Sequence, residues 1–215
     1  MPRLRAYQLP GGGNLSPLTE SSNAFNVSGA KDVAIADLDN DNIGEIGVAD
    51  ANGIDLFKNL NGTIVKISSP SVGQDVDAIV NCNVDGDNDG DFIYAIRAGS
   101  SQPGRVGVLR WVSGTTYELK GERTIPNMFG VVGCEDFDRD GSADAIVAAA
   151  DGDGNYDVLV LRGKTDGTFE APIAFPIPSA VTHLRSGPDF NNDEVPDIIL
   201  TSAAMGLVTI LESNP

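Results

Sequence analysis

Several residue types on which protein chemistry is often built are scarce in this chain of 215 residues. It has two cysteines, one histidine and one tryptophan. Two cysteines are too few for a disulfide scaffold and the wrong pattern for a zinc site. His183 is the only histidine and falls in a strand-like run, and neither cysteine has a histidine near it in sequence, so no catalytic constellation is visible and no enzyme is expected. Basic residues are short as well: 14 Lys and Arg stand against 31 Asp and Glu, a net charge of -17. That balance argues against nucleic-acid backbones and anionic membrane surfaces as partners. No apolar run reaches 18 residues, so no membrane span is expected, and the opening "MPRLRAYQLPGGG" lacks the apolar stretch of a signal peptide. No segment sustains a 3.6-residue period, so little helix is expected. A hydrophobic content of 41% is nevertheless that of a folded chain.

What the chain does have is a repeated acidic stretch. "DLDNDNIGE", "NVDGDNDGD", "DFDRDGSAD" and "DFNNDEVPD" begin at residues 37, 83, 136 and 189, at spacings of 46, 53 and 53. Position one reads Asp37, Asn83, Asp136, Asp189, and position three reads Asp39, Asp85, Asp138, Asn191. Position five is always Asp (Asp41, Asp87, Asp140, Asp193), and position nine is always acidic (Glu45, Asp91, Asp144, Asp197). Solubility alone does not demand alternation in register.

Short apolar runs flank each stretch, such as "VAIA" before and "IGVA" after the first, and turn pairs recur at Asn61-Gly62, Ser113-Gly114 and Asp166-Gly167. Short β-branched runs bounded by such turns are strands. Each unit reads as four antiparallel strands in about 50 residues, the size of a β-propeller blade. The expectation is an all-β propeller of four repeats, at about 30–75, 76–127, 128–180 and 181–215, within one domain spanning 1–215. Residues 1–29 are expected to supply the outer strand that the last repeat lacks, closing a four-bladed ring. A piece of a larger propeller, or a second copy completing the ring, are the alternatives.

Alternate carboxylates on a tight turn converge, and hard oxygen donors in that number suit calcium better than magnesium or zinc. Positions one, three, five and nine supply side-chain oxygens. Position seven (Ile43, Asp89, Ser142, Val195) varies, as expected if only its carbonyl binds. Position six needs a permissive backbone; Asn42, Asn88 and Gly141 suit it better than Glu194. Four calcium ions would bring the net charge from -17 to -9. An EF-hand is excluded, because position twelve is Val48, Tyr94, Val147 or Leu200 rather than Glu. The third loop has the full acid complement and Gly141. The fourth, with Asn191, Glu194 and Pro196, is expected to bind most weakly.

The third unit, "FGVVGCEDFDRDGSADAIVAA" with Phe129-Gly130 leading into the loop, resembles the FG-GAP repeat family of integrin alpha-subunit propellers and many secreted proteins. The other units keep the loop without the FG pair. The resemblance implies a propeller, calcium between the first two strands of each blade, and roles in adhesion, glycan binding or scaffolding, although relatives commonly have seven blades. The expected function is therefore a calcium-binding module at the cell surface or outside the cell, with a protein or glycan ligand. The alternative is a lectin using Trp111, Tyr94, Tyr117 or Tyr156, with Trp111 better explained by packing; a polysaccharide-active enzyme ranks below both. Cys82 and Cys134 lie one and two residues ahead of their loops, at opposite strand parity, so they are expected as separate buried thiols. Three N-x-S/T triplets begin at Asn14, Asn26 and Asn61.

Overall fold

The computed structural model describes residues 3–4, 7–8, 19–20, 25–61, 63–87, 89–187 and 189–213, which form strands, bends and turns with no helix. Short strands β1 (Arg3–Leu4), β2 (Tyr7–Gln8), β3 (Thr19–Glu20) and β4 (Phe25–Asn26) pair antiparallel as β1 with β4 and β2 with β3. Blade 1 is β5 (Asp32–Ala36), β6 (Glu45–Asp50), β7 (Gly53–Leu60) and β8 (Thr63–Ser68). Blade 2 is β9 (Ala78–Cys82), β10 (Asp91–Ile96), β11 (Gly104–Ser113) and β12 (Thr116–Ile125). Blade 3 is β13 (Met128–Glu135), β14 (Asp144–Ala150), β15 (Tyr156–Leu161) and β16 (Ile173–Ile177). Blade 4 is β17 (His183–Gly187), β18 (Asp197–Ser202) and β19 (Leu207–Leu211). This is the expected all-β, four-bladed propeller. The supply of a last outer strand by 1–29 falls largely outside the described residues; among those described, β1–β4 pair with one another and β19 pairs with β18.

The pleat of the second strands explains why blades stack. Phe92, Tyr94 and Ile96 of β10 join the cluster shared with blade 1, while Ile93 and Ala95 of the same strand join the cluster shared with blade 3. In β14, Ala145, Val147 and Ala149 face blade 2, and Ile146 and Ala148 face blade 4. Such strands are apolar throughout because both faces are covered. Each fully buried Phe, Leu or Ile contributes on the order of 1.5–3 kcal/mol. The far face of blade 1 is covered by Phe25, whose ring lies tilted with its centroid 5.1 Å from that of Phe57, and by Val27. The glycine of the FG pair marks a close approach: a Cβ on Gly130 would lie 2.5 Å from that of Asp77.

The first strands β5, β9, β13 and β17 line a central cavity of about 700 Å³. β5 runs beside β9, β9 beside β13, and β13 beside β17. Three apolar clusters fill these three junctions. On the β17-to-β5 side, Val33 and Ile35 remain 56% and 60% exposed.

The cysteines depart from expectation. Cys82 ends β9, Cys134 lies in β13, and a disulfide joins them with Cα atoms 6.3 Å apart. Opposite parity would separate two residues in one sheet. Here it unites them, because a propeller lays the front of one blade on the back of the next. The bond closes a separation of 52 residues, which in the chain-entropy picture stabilises the fold by about 4 kcal/mol. Replacing both cysteines by serine should lower the unfolding free energy by up to about that amount. Denaturant midpoints measure it; a midpoint unchanged between wild type and the double variant would contradict a disulfide that staples blade 2 to blade 3.

Candidate metal centres

Each acidic loop joins the first strand of a blade to the second, and the position-nine acid is the first residue of that second strand: Glu45, Asp91, Asp144 and Asp197. All four are buried. In each, one carboxylate oxygen accepts the backbone N–H of position two: Leu38 to Glu45 at 2.8 Å, Val84 to Asp91 at 2.9 Å, Phe137 to Asp144 at 3.1 Å and Phe190 to Asp197 at 2.6 Å. The position-five carboxylate accepts the N–H of position seven in every loop: Ile43 to Asp41, Asp89 to Asp87, Ser142 to Asp140 and Val195 to Asp193, at 2.8–2.9 Å. These are Asx turns, in which a side chain stands in for a backbone acceptor. Position one caps positions five and six with both oxygens in three loops, through Asp37, Asp136 and Asp189. Asn83 in loop 2 instead accepts from Gly86 N–H and donates to the Asp87 carbonyl.

Left-handed backbone appears at position six, in Asn42 (φ 66°), Gly141 (93°) and Glu194 (68°), while Asn88 lies outside the described residues. It appears also at position four, in Asn40, Gly86, Arg139 and Asn192, with φ between 55° and 73°. Repetition of Asn and Gly at position four was the signal available in sequence; Arg139 masked it. Neighbouring loops are chained. The N–H of Gly90, position eight of loop 2, donates to the Asp37 carbonyl at 2.8 Å, and that of Ala143 in loop 3 to the Asn83 carbonyl at 2.9 Å. In loop 4 position eight is Pro196, which has no N–H to give. Arg139 Nη2 reaches across to the Asp193 carbonyl instead, at 3.0 Å.

The loops differ at their centres. In loop 3, Asp136, Asp138 and Asp140 each bring one oxygen to within 4.8 Å of the others. Arg162, half exposed, pairs with one of them, its Nε 3.2 Å from Asp138 Oδ2. The second oxygen of Asp144 accepts the Gly163 N–H. Ser142, at position seven, is buried. In loop 2, Arg110 pairs with Asp85 at 2.7 Å, but the second oxygen of buried Asp91 has no hydrogen-bond partner. Burial, with the Asp85 and Asp87 charges added, pushes the Asp91 carboxyl up to about 7. Burial and the Asp87 carboxylate push Asp89 to about 7 as well. Asp144 is raised by burial to about 6.

Loop 1 also gathers oxygens, from Asp37, Asp39 and Glu45. Amid them lies the ammonium of Lys58, on β7 opposite Glu45. Burial works against its charge, yet Asp39, Glu45 and Asp41 outweigh burial and hold it above the ordinary lysine range. Loop 4 carries an amide at position three: Asn191 Nδ2 donates to Asp193 Oδ2 at 2.9 Å and to the Ser213 carbonyl at 3.1 Å. Asp197 is buried, yet the N–H groups of Phe190 and Ser213 outweigh that and keep its carboxyl below the usual range.

Sequence reasoning missed the third-strand cations. Lys58 is the β-partner of Glu45; Arg110 follows Leu109, the partner of Phe92; Arg162 follows Leu161, the partner of Ala145. The corresponding fourth residue is Glu212, after Leu211. A cation thus accompanies an acid at position three, and the one loop with Asn there lacks it. Of the aromatic residues weighed as a glycan platform, Tyr94 is wholly buried, and Trp111 and Tyr117 pack against the blade 1–blade 2 cluster. Tyr156 is half-buried, 6.1 Å from Phe129. His183 is exposed, with Nδ1 3.5 Å from Thr201 Oγ1.

Two predictions arise. Carboxyls raised in the folded state bind protons more tightly there than in the unfolded chain, so metal-free stability should fall as pH climbs from about 4 to about 7, where Asp89, Asp91 and Asp144 must ionise. Melting in chelator across that range measures it; a rise in Tm toward pH 7 would refute the assignment. Second, Glu194→Gly should relieve the left-handed strain at φ 68° and stabilise by up to about 1 kcal/mol, read from the denaturant midpoint.

Residues 136–200 match the family of FG-GAP-like repeats. The match begins at the first residue of loop 3 and runs through the rest of blade 3 and loop 4 into β18. No curated protein matches the sequence significantly.

Proposed function

With an FG-GAP-like repeat at residues 136–200 set in a four-bladed propeller, a fold that suggests a binding or scaffold module, we propose that the protein is a calcium-braced binding module working outside the cell or at its surface. The observation that carries the reading is the centre of loop 3, where the oxygens of Asp136, Asp138 and Asp140 converge and, among the described residues, only Asp138 is paired with a cationic side chain, Arg162. Asp136, Asp138, Asp140 and Asp144, with the Ser142 carbonyl, would hold the ion there. Loop 2 supports the same reading, since the free oxygen of Asp91 is a buried acceptor without a donor. Calcium supplies charge neutralisation and rigidity and no bond chemistry. Bound at these loops, it would tie the first and second strands of a blade together at one rim of the propeller.

The Cys82–Cys134 bridge favours an oxidising compartment. Modest-affinity calcium loops suit a calcium-rich exterior. The ligand is a protein or a glycan carried on the propeller surface, with adhesion or scaffolding as the role. Among the loops that take calcium, loop 4 is filled last: its position-three amide already donates to Asp193.

Melting in calcium and in chelator, with calorimetric titration, tests the reading. At a calcium concentration of about 100 Kd each filled site adds about 2.7 kcal/mol, or on the order of 5–10 °C in Tm for a domain of this size. An identical Tm in both buffers, with no heat of binding, would sink it. Glycan-array and partner-capture screens on the calcium-loaded protein then separate lectin from protein-binding module.

A further inference from the structure

Lys58 lies where the first loop's cation would belong. Its Nζ is 2.8 Å from both oxygens of Asp39, 2.9 Å from Asp41 Oδ2 and 2.6 Å from Glu45 Oε1. Its side chain is 8% exposed. These three acids are positions three, five and nine, three of the four side-chain donors that a calcium ion would need there. The remaining donor, Asp37, takes the N–H groups of Asp41 and Asn42 just as Asp136 takes its own pair in loop 3, so the lysine alone sets loop 1 apart. An ammonium has three protons to donate, and three carboxylates surround this one.

The arginines at the corresponding places do not do this. Arg110 contacts Asp85 of loop 2 and turns its Nε to Glu118, 3.0 Å away; Arg162 reaches Asp138 of loop 3 and is half exposed. A planar guanidinium spreads its donors in a fixed fork, whereas a lysine is a compact charge on a flexible stem that can meet several carboxylates at one point. Loop 1 therefore does not fit the calcium assignment as its neighbours do.

We propose that loop 1 is a calcium-independent loop in which the Lys58 ammonium serves as the built-in cation, so that blade 1 stays braced when calcium is withdrawn and the chain takes at most three ions. The proposal rests on the calcium reading of the other loops and is separable from it. The geometry behind it is one juxtaposition: a third-strand lysine, paired across the sheet with the position-nine acid, projecting into the loop of its own blade.

The test counts calcium equivalents by calorimetric titration in wild type, Asp39→Asn, Asp138→Asn and Lys58→Met. Asp138→Asn should lose or strongly weaken one site. Asp39→Asn should leave the number and affinity of sites unchanged, and loss of one equivalent there would overturn the proposal. Lys58→Met should gain one equivalent, while its Tm in chelator falls by on the order of 10 °C and recovers in calcium. No added equivalent in a folded Lys58→Met would also overturn it. Should that variant fold only when calcium is added, the refolding is itself the expected result; should it fold in neither buffer, Asp39→Asn decides. If no loop of the wild type binds calcium, the functional reading fails, and the chelator melt of Lys58→Met alone then judges the lysine: a lower Tm upholds its bracing role and an unchanged one overturns it.

Discussion

A buried carboxylate begins the second strand of every blade, and the loop geometry depends on it. One of its oxygens takes the N–H of position two, fixing the width of the turn. Position five is held in turn by its own bond to the N–H of position seven. In blades 2 and 3 the same buried acid opens the strand whose alternating side chains fill two blade junctions. Loop electrostatics and apolar packing therefore meet at one residue in each of these blades. A charge there is costly to bury unless its second oxygen is also answered.

The four blades answer that second oxygen in different ways. Blade 1 brings an ammonium, and blades 3 and 4 bring the backbone N–H groups of Gly163 and Ser213. Blade 2 brings none, and its carboxyl is raised furthest of the four, to about 7. The repeats share a fold while differing in what meets the buried carboxylate. The difference follows from the residue across the sheet and from whether the next backbone N–H turns inward, rather than from the number of acids in the loop.

Much of this was legible in sequence. The acids recur at constant offsets within a nine-residue turn, and the apolar runs beside them alternate with turn pairs, so the blades and their loops could be placed without coordinates. The third-strand cations could not. Lys58 comes 13 residues after Glu45, Arg110 comes 19 after Asp91, and Arg162 comes 18 after Asp144, because the intervening hairpins differ in length. Only the strand register aligns them. The disulfide was hidden for another reason. Parity along a strand tells which face of its own sheet a residue takes, but not that opposite faces of successive blades meet. Arg139 and Glu194 show a third limit, since side chains with poor left-handed propensity are held there by N–H bonds that the rest of the loop supplies.

The division of β10 and β14 between two cores bears on how such a chain can be shortened or lengthened. Removing blade 2 would strip Phe92 and Tyr94 from the face of blade 1 and Ile93 and Ala95 from that of blade 3 at one stroke. The surfaces left behind were never shaped for each other. A viable deletion or duplication has to cut through equivalent points of two repeats, so that each joint recreates a front and a back that already fit. The modular unit of this architecture is accordingly the junction between blades, and the sheet is only half of each of two such units.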